Sequence, residues 1–166
     1  MKKKLLLPAI LLVLLFTACG QKGDTSIAPF TEVKWGSTLD QICEFEGSEY
    51  EESLSMSGGY NYIYPKQYLG FDGYVKYNID DNGSLSNVSW YYIGNDELET
   101  VKMYSAIRED TTKYLGKETP LDNSNIYSGI QWENENSKVM LISFAQNDEF
   151  AVQVSYLLKE EKSSMH

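Results

Sequence analysis

The fold of this chain is decided by the stretch Gly73-Tyr74-Val75-Lys76-Tyr77-Asn78-Ile79 and its continuation Asp80-Asp81-Asn82-Gly83, followed by Ser86-Asn87-Val88-Ser89-Trp90-Tyr91-Tyr92. Both outer segments are rich in aromatic and β-branched residues, which favour strands. The central Asp, Asn and Gly residues tolerate the positive φ angles of tight turns. The sequence therefore predicts a β-hairpin at this point of the chain.

Two helices are predicted from capping sequences. Thr38 is followed three residues later by Gln41, which is a capping box, and Gly47 provides a stop, so a short helix is expected over 38–46. Asp96 and Glu99 form a second box that opens a long helix over 96–115, ended by Gly116. Its expected apolar positions recur at three- and four-residue steps: Leu98, Val101, Tyr104, Ile107, Thr111, Tyr114 and Leu115.

Four further segments alternate as strands do. One covers 60–64 and ends at Pro65, which indicates a position near a sheet edge. The others, at about 129–134, 138–145 and 149–157, are separated by short polar turns and predict a meander. The expected order is αβββαβββ, an α+β fold with an antiparallel sheet of about six strands and both helices on one face. The repeated order also hints at an internal duplication.

Alternation assigns side chains to the two faces of this sheet. The predicted core face holds Val75, Tyr77, Ile79, Val88, Trp90, Tyr92, Ile130, Trp132, Val152, Val154 and Tyr156. The opposite face, called here the open face, holds Tyr74, Lys76, Asn87, Ser89, Tyr91, Gln131, Glu133, Gln153 and Ser155. A mixture of Tyr with Asn, Gln and Ser is typical of binding surfaces, although tyrosines also suit half-exposed strands in general. The candidate partner-binding residues are Tyr74, Lys76, Tyr91, Gln131, Glu133 and Gln153.

The amino terminus carries an export signal. Met1-Lys2-Lys3-Lys4 precedes an apolar run from Leu5 to Phe16, which is too short to cross a bilayer as a helix. Phe16-Thr17-Ala18-Cys19 resembles the lipobox of bacterial lipoproteins, although most such boxes carry Leu at the first position. The resemblance implies cleavage before Cys19 and a diacylglycerol on its thiol, so that the protein is anchored to an outer or cell membrane. The alternative is plain secretion with cleavage near Ala18.

Four segments follow from this interpretation: a lipoprotein signal peptide over 1–18, a flexible tether over 19–29, a single α+β domain over 30–158 and a disordered tail over 159–166. Cleavage removes three lysines and leaves 11 basic against 24 acidic side chains, a formal charge of −13. Nucleic acid is therefore excluded as a partner, because binding to phosphates requires dense Lys and Arg.

Several acids crowd one stretch after the first helix, and Glu44, Glu46, Glu49, Glu51 and Glu52 are expected to form a solvated loop. The alternative is a site for cations or a basic partner. Cys43 shares a helical face with Leu39 and Ile42, which favours a buried, unreactive thiol over a nucleophile.

Most catalytic chemistries lack their residues. The histidine of the chain is the terminal His166, so His-based hydrolases and zinc sites have no credible donor. There is no phosphate-binding Gly-rich loop, which excludes nucleotide chemistry. Asp80, Asn82 and Ser84 mimic the start of a calcium loop, but Leu85 and Tyr91 stand where Gly and Glu are required. No metal or cofactor is expected, and the remaining enzymatic alternative is a carboxylate-based glycan hydrolase that uses Glu133 with a second acid.

The segment Gly36-Ser37-Thr38-Leu39-Asp40-Gln41-Ile42-Cys43-Glu44-Phe45-Glu46-Gly47 resembles the opening of the repeat in small outer-membrane-assembly lipoproteins and in beta-lactamase inhibitory proteins. Glu46 replaces the usual leucine, and the disulfides of the inhibitors are missing. The resemblance implies helices on a curved antiparallel sheet that serves protein contact and not catalysis. The expected function is a membrane-anchored, non-catalytic binding or envelope-assembly module.

Overall fold

The computed structural model describes residues 26–121 and 128–159 of the chain. Two helices and eight strands follow one another as α1 (Leu39–Glu46), β1 (Glu51–Leu54), β2 (Tyr60–Tyr68), β3 (Phe71–Ile79), β4 (Leu85–Gly94), α2 (Glu97–Leu115), β5 (Thr119–Pro120), β6 (Ser128–Glu133), β7 (Ser137–Gln146) and β8 (Glu149–Leu158). The α+β class is confirmed. The predicted helices are confirmed as well, with Thr38 and Asp96 as their N-caps. The full capping box is present at Thr38 and Gln41, whereas the Glu99 carboxylate accepts from Tyr92 Oη and does not complete the box at Asp96.

The strands form one antiparallel sheet in the order β1-β2-β3-β4-β8-β7-β6-β5. Each half of the chain contributes one helix and four consecutive strands, and the halves meet where β4 pairs with β8. The predicted six strands and the order αβββαβββ are therefore wrong by one strand in each half. The missed strands lie at the two edges, where β5 has two residues and β1 has mostly exposed side chains that show no alternation.

Pro65 lies inside β2 and does not end it. The strand β1 pairs with β2 only up to Ile63, so the chain from Tyr64 onward has a free outer side on which a missing N–H is tolerated. The expectation of a position near an edge was correct, and the expected end of the strand was wrong.

The core lies between the sheet and the two helices. Tyr64 and Tyr77 contact α1, while Tyr68, Tyr92 and Trp132 contact α2 or its end, so both helices cover the same face. The predicted core residues are buried, except that Tyr92 and Ile130 are only partly covered.

Helix α2 buries only part of the expected stripe: Ile107 and Thr111 are buried, and Tyr104 and Leu115 pack against the core. Its buried residues are Thr100, Met103, Ile107 and Thr111. Leu98, Val101 and Tyr114 are 63%, 54% and 72% exposed, because the stripe that meets β7 and β8 lies to one side of them. Ile107 and Thr111 were expected to be buried, whereas Thr100 and Met103 were not.

The folded body begins before residue 30. Ile27 and Ala28 are buried, and the Ile27 N–H donates to the Val33 carbonyl, so the expected tether over 19–29 is too long at its carboxyl end. At the other terminus, the Lys159 N–H donates to the Asn136 carbonyl, although the tail was expected to start at this residue. Cys19, the signal segment 1–18 and residues 160–166 lie outside the described residues.

Glu46 is buried and does not belong to a solvated acidic stretch. Its carboxylate is 6% exposed and accepts hydrogen bonds from Tyr77 Oη at 2.6 Å and from Lys66 Nζ at 2.8 Å. These contacts join the carboxyl end of α1 to β2 and β3.

Within the two described ranges, no helix is long and apolar enough to cross a membrane.

Candidate functional site

The open face is the side of the sheet that neither helix covers. Successive side chains of a strand alternate between faces, so residues paired across strands on this side form rows. One row runs Pro65, Tyr74, Tyr91, Gln153 and Ile142 across β2, β3, β4, β8 and β7. The next row contains Ile63, Lys76, Ser89, Ser155, Met140 and Gln131.

Tyr74 and Tyr91 form a stacked pair on this face. Their ring centroids are 5.6 Å apart with an interplanar angle of 26°, and Tyr74 is 46% exposed. Burial, followed by the nearby Glu51 carboxylate, raises the pKa of Tyr91. The pair is therefore a rigid, neutral and partly hydrated aromatic projection.

Two shallow grooves flank Tyr74. One is lined by Pro65, Asp72 and Ile93, among others, and the second by Tyr50, Glu51 and Ile63. The exposed Tyr74 ring thus lies between two grooves that contain both apolar and acidic side chains.

Lys76 lies beside the tyrosine pair. Its Nζ is 5.6 Å from the centroid of the Tyr91 ring, within the range of a cation–π interaction. The side chain is half-buried, and burial lowers the pKa of Lys76 below its ordinary value. Within residues 26–121 and 128–159, no carboxylate oxygen lies within 4.0 Å of this ammonium group.

A polar network fills the centre of the open face. Ser89 Oγ donates to Asn87 Oδ1 at 2.8 Å and lies 3.0 Å from Ser155 Oγ, which accepts from Gln153 Nε2 at 2.7 Å. Ser89 and Ser155 were expected to be open to solvent, but they are 0% and 2% exposed. They are short, and the longer side chains of neighbouring strands cover them, so they support the surface without forming it.

The six predicted partner-binding residues separate into two groups. Tyr74, Lys76, Tyr91 and Gln153 lie together on the adjacent strands β3, β4 and β8. Gln131 and Glu133 lie on β6, with β7 between them and β8. At about 4.8 Å per strand, that is roughly 10 Å away.

The outer two residues have distinct surroundings. Gln131 Oε1 is buried and has no hydrogen-bond partner in the described part of the chain. Glu133 is exposed, lies opposite Lys138 and forms an ion pair with Lys159 at 3.1 Å. The contact with Lys159 makes this carboxylate part of a surface ion pair.

Sequence reasoning missed several apolar residues of the open face, among them Ile63, Pro65, Met140 and Ile142. Ile63 and Pro65 belong to a strand whose faces were not assigned. Met140 and Ile142 belong to β7, where the run Val139-Met140-Leu141-Ile142 is apolar on both faces and alternation selects neither. Only the pairing of β7 with β6 and β8 shows which residues share the open face.

The other groups noted in the sequence have structural partners. Cys43 is half-buried, with Sγ 3.7 Å from Tyr64 Oη. Asp80 Oδ1 accepts from the backbone N–H groups of Asn82 and Ser84, so this carboxylate closes the β3–β4 turn. No group of three or more metal-ligating side chains occurs among the residues described. The arrangement suits recognition through aromatic, amide and ammonium contacts.

Comparison with protein-family models, with curated proteins and with solved structures finds no match to this chain.

Proposed function

We propose that this protein is an exported lipoprotein, anchored to a bacterial membrane through Cys19, that binds a protein of the cell envelope with the open face of its sheet. The observation that carries the proposal is the contiguous group of Tyr74, Tyr91 and Lys76 on a sheet face that no helix covers. No chemical step is assigned to the protein.

The composition of this group supports protein recognition. Two stacked tyrosines offer broad contact area, and each ring loses little conformational entropy on binding because the pair is already ordered. The amide of Gln153 lies opposite Tyr91, and the side chains of Gln153 and Asn87 are both held by the serine network. Partner side chains would meet apolar rings with fixed hydrogen-bonding groups beside them, which is the anatomy of a protein interface.

The anchoring part of the proposal rests on the amino-terminal sequence. Basic residues, a short apolar run and Thr17-Ala18-Cys19 form the pattern of a lipoprotein signal. Because Ile27 packs into the body, the chain between Cys19 and the folded domain can extend over at most roughly 28 Å. An acylated protein would therefore meet partners close to the lipid surface.

The binding function is tested by photo-cross-linking in the native membrane. A photoreactive residue at position 74 should give a discrete cross-linked protein, whereas one at the exposed Lys102 on α2 should not. The double variant Tyr74→Ala/Tyr91→Ala should lose capture of that protein while its cooperative thermal unfolding shows that it remains folded. Tyr114→Ala is the matched control, since Tyr114 is more exposed and lies on the helical side. Equal capture by the double variant and the wild type would reject the open face as the binding surface.

The anchor is tested separately with radiolabelled palmitate. The wild type should be labelled and sediment with membranes, and Cys19→Ser should be unlabelled. Unlabelled wild-type protein free in the medium would reject the anchor without affecting the binding surface.

A further inference from the structure

Lys76 is a half-buried cation near the middle of the open face, and among the described residues no carboxylate oxygen lies within 4.0 Å of its ammonium group. Lys66 and Lys159 each hold a carboxylate oxygen at 2.8 Å and 3.1 Å respectively, and the chain contains 24 acids. In the described residues, Lys76 has only the Tyr91 ring and the side chains that cover its stem. An acidic protein has placed an unpaired ammonium group in the middle of its exposed sheet face.

The surroundings prepare this ammonium group for an anion. Burial has already removed part of its hydration in the free protein, as the lowered pKa of Lys76 indicates. A carboxylate arriving there meets a cation that has less hydration left to lose than a fully exposed lysine, in surroundings of lower dielectric than water. The same carboxylate would gain less beside a fully hydrated lysine on the helical side.

We propose that Lys76 receives an Asp or Glu side chain of the protein partner, seated on the open face against Tyr91. This inference rests on the proposed function and specifies the chemistry of the partner. The ammonium group supplies the charge, and the stacked rings of Tyr91 and Tyr74 contact the apolar residues beside the acid.

The charge of the molecule disfavours anionic polymers and lipid surfaces as occupants. The whole chain carries a formal charge of −10, so a polyphosphate or an anionic bilayer is repelled by the net charge at long range. Such ligands are bound by several cations together. A single carboxylate needs only one cation.

The test uses a random peptide-display library selected on the full-length protein, with parallel selection on Tyr74→Ala/Tyr91→Ala. Peptides that require the two tyrosines should share an Asp or Glu next to an apolar residue. Lys76→Met should weaken their binding by about tenfold to a hundredfold, since the partner's carboxylate loses its cation. Lys76→Arg should keep most of the affinity, and Lys102→Met, at an exposed helical position, should change nothing. The melting temperature of each variant shows that the fold is intact.

Each outcome has one meaning. Tyrosine-dependent peptides that lack an acid, or that bind Lys76→Met as well as the wild type, overturn this inference and leave the proposed function standing. Failure to enrich any tyrosine-dependent peptide overturns both. Vesicles containing phosphatidylglycerol form the last arm, and vesicle binding that Lys76→Met abolishes would assign the lysine to a lipid phosphate instead.

Discussion

At the scale of single residues, the contact between Gly73 and Trp90 determines how the aromatic core closes. Trp90 is fully buried, and its indole N–H donates to the Lys66 carbonyl at 2.8 Å. The six-membered ring lies where the Cβ atom of residue 73 would stand, and the Tyr91 carbonyl oxygen would be only 2.7 Å from that atom. Glycine at position 73 is therefore a requirement of packing and not of backbone conformation.

We expect Gly73→Ala to destabilise the protein by about 1–3 kcal/mol, because the added methyl group forces Trp90 out of its place. Urea unfolding followed by tryptophan fluorescence measures the loss, and the emission of the folded state should also shift as the indole moves. Asp72→Ala, at the exposed neighbouring position, should change stability by less than about 0.5 kcal/mol. Equal stabilities of Gly73→Ala and the wild type would show that Trp90 has room that the structure does not record.

Residue-level prediction from sequence succeeded where one strand's alternation decides burial. Val75, Tyr77, Val88 and Trp90 were placed correctly because the hairpin carries both a clear period of two and its own turn. Ser89 failed, since its exposure depends on side chains of strands that are distant in sequence.

At the scale of elements, α1 depends on a polar contact more than on apolar burial. Ile42 is the only buried residue of α1, and Phe45 is 51% exposed. The capping box fixes one end of the helix, and Glu46 ties the other end to the sheet through Lys66 and Tyr77. Such an eight-residue helix gains little from propensity alone.

We expect substitutions of Lys66 and of Glu46 to reduce stability by different amounts, and a double-mutant cycle to show that the two residues are coupled. Lys66→Met should cost about 2–3 kcal/mol, because it leaves the 6% exposed Glu46 without a cation. Glu46→Leu should cost less, since the Lys66 side chain is 31% exposed and remains partly hydrated. The double variant should be more stable than the sum of the single changes predicts. Lys113→Met, whose partner Glu109 is 75% exposed, should stay within about 0.5 kcal/mol of the wild type. Strictly additive changes at positions 46 and 66 would contradict a coupled pair.

Element prediction succeeded for both helices and for the long strands, and failed at the edges. The capping residues Thr38 and Asp96 act locally, so sequence reveals them. Strand β1 exists only because β2 offers it a partner, and its exposed acids Glu51 and Glu52 give it the polar outer character of a protected edge. The apolar residues of the open face could not be assigned from sequence for the same reason, because their positions depend on which strands pair.

At the scale of the whole molecule, the core is unusual in holding several buried phenols. Tyr68, Tyr77 and Tyr156 are 6%, 0% and 5% exposed, and they belong to one core cluster that both halves of the chain build. Burial raises the pKa of each of these tyrosines well above its ordinary value near 10. The nearby carboxylates Asp110 and Glu46 add to the effect at Tyr68 and Tyr77. The stability of the molecule is thereby linked to alkaline pH.

The direction of this pH dependence follows from how the phenols ionise in the folded and in the unfolded chain. Below pH 10 the phenols are neutral in the folded and in the unfolded chain, and their contribution to stability is fully present. As pH rises above 10 the unfolded chain releases these protons first, so the free energy of unfolding falls by up to about 1.4 kcal/mol per pH unit for each phenol. Urea unfolding at a series of pH values between about 8 and 11 should show this decline. Tyr68→Phe should make the decline shallower, whereas Tyr114→Phe, at an exposed position, should not. Ionisation of these tyrosines near pH 10 in protein that remains folded would contradict the buried phenol core.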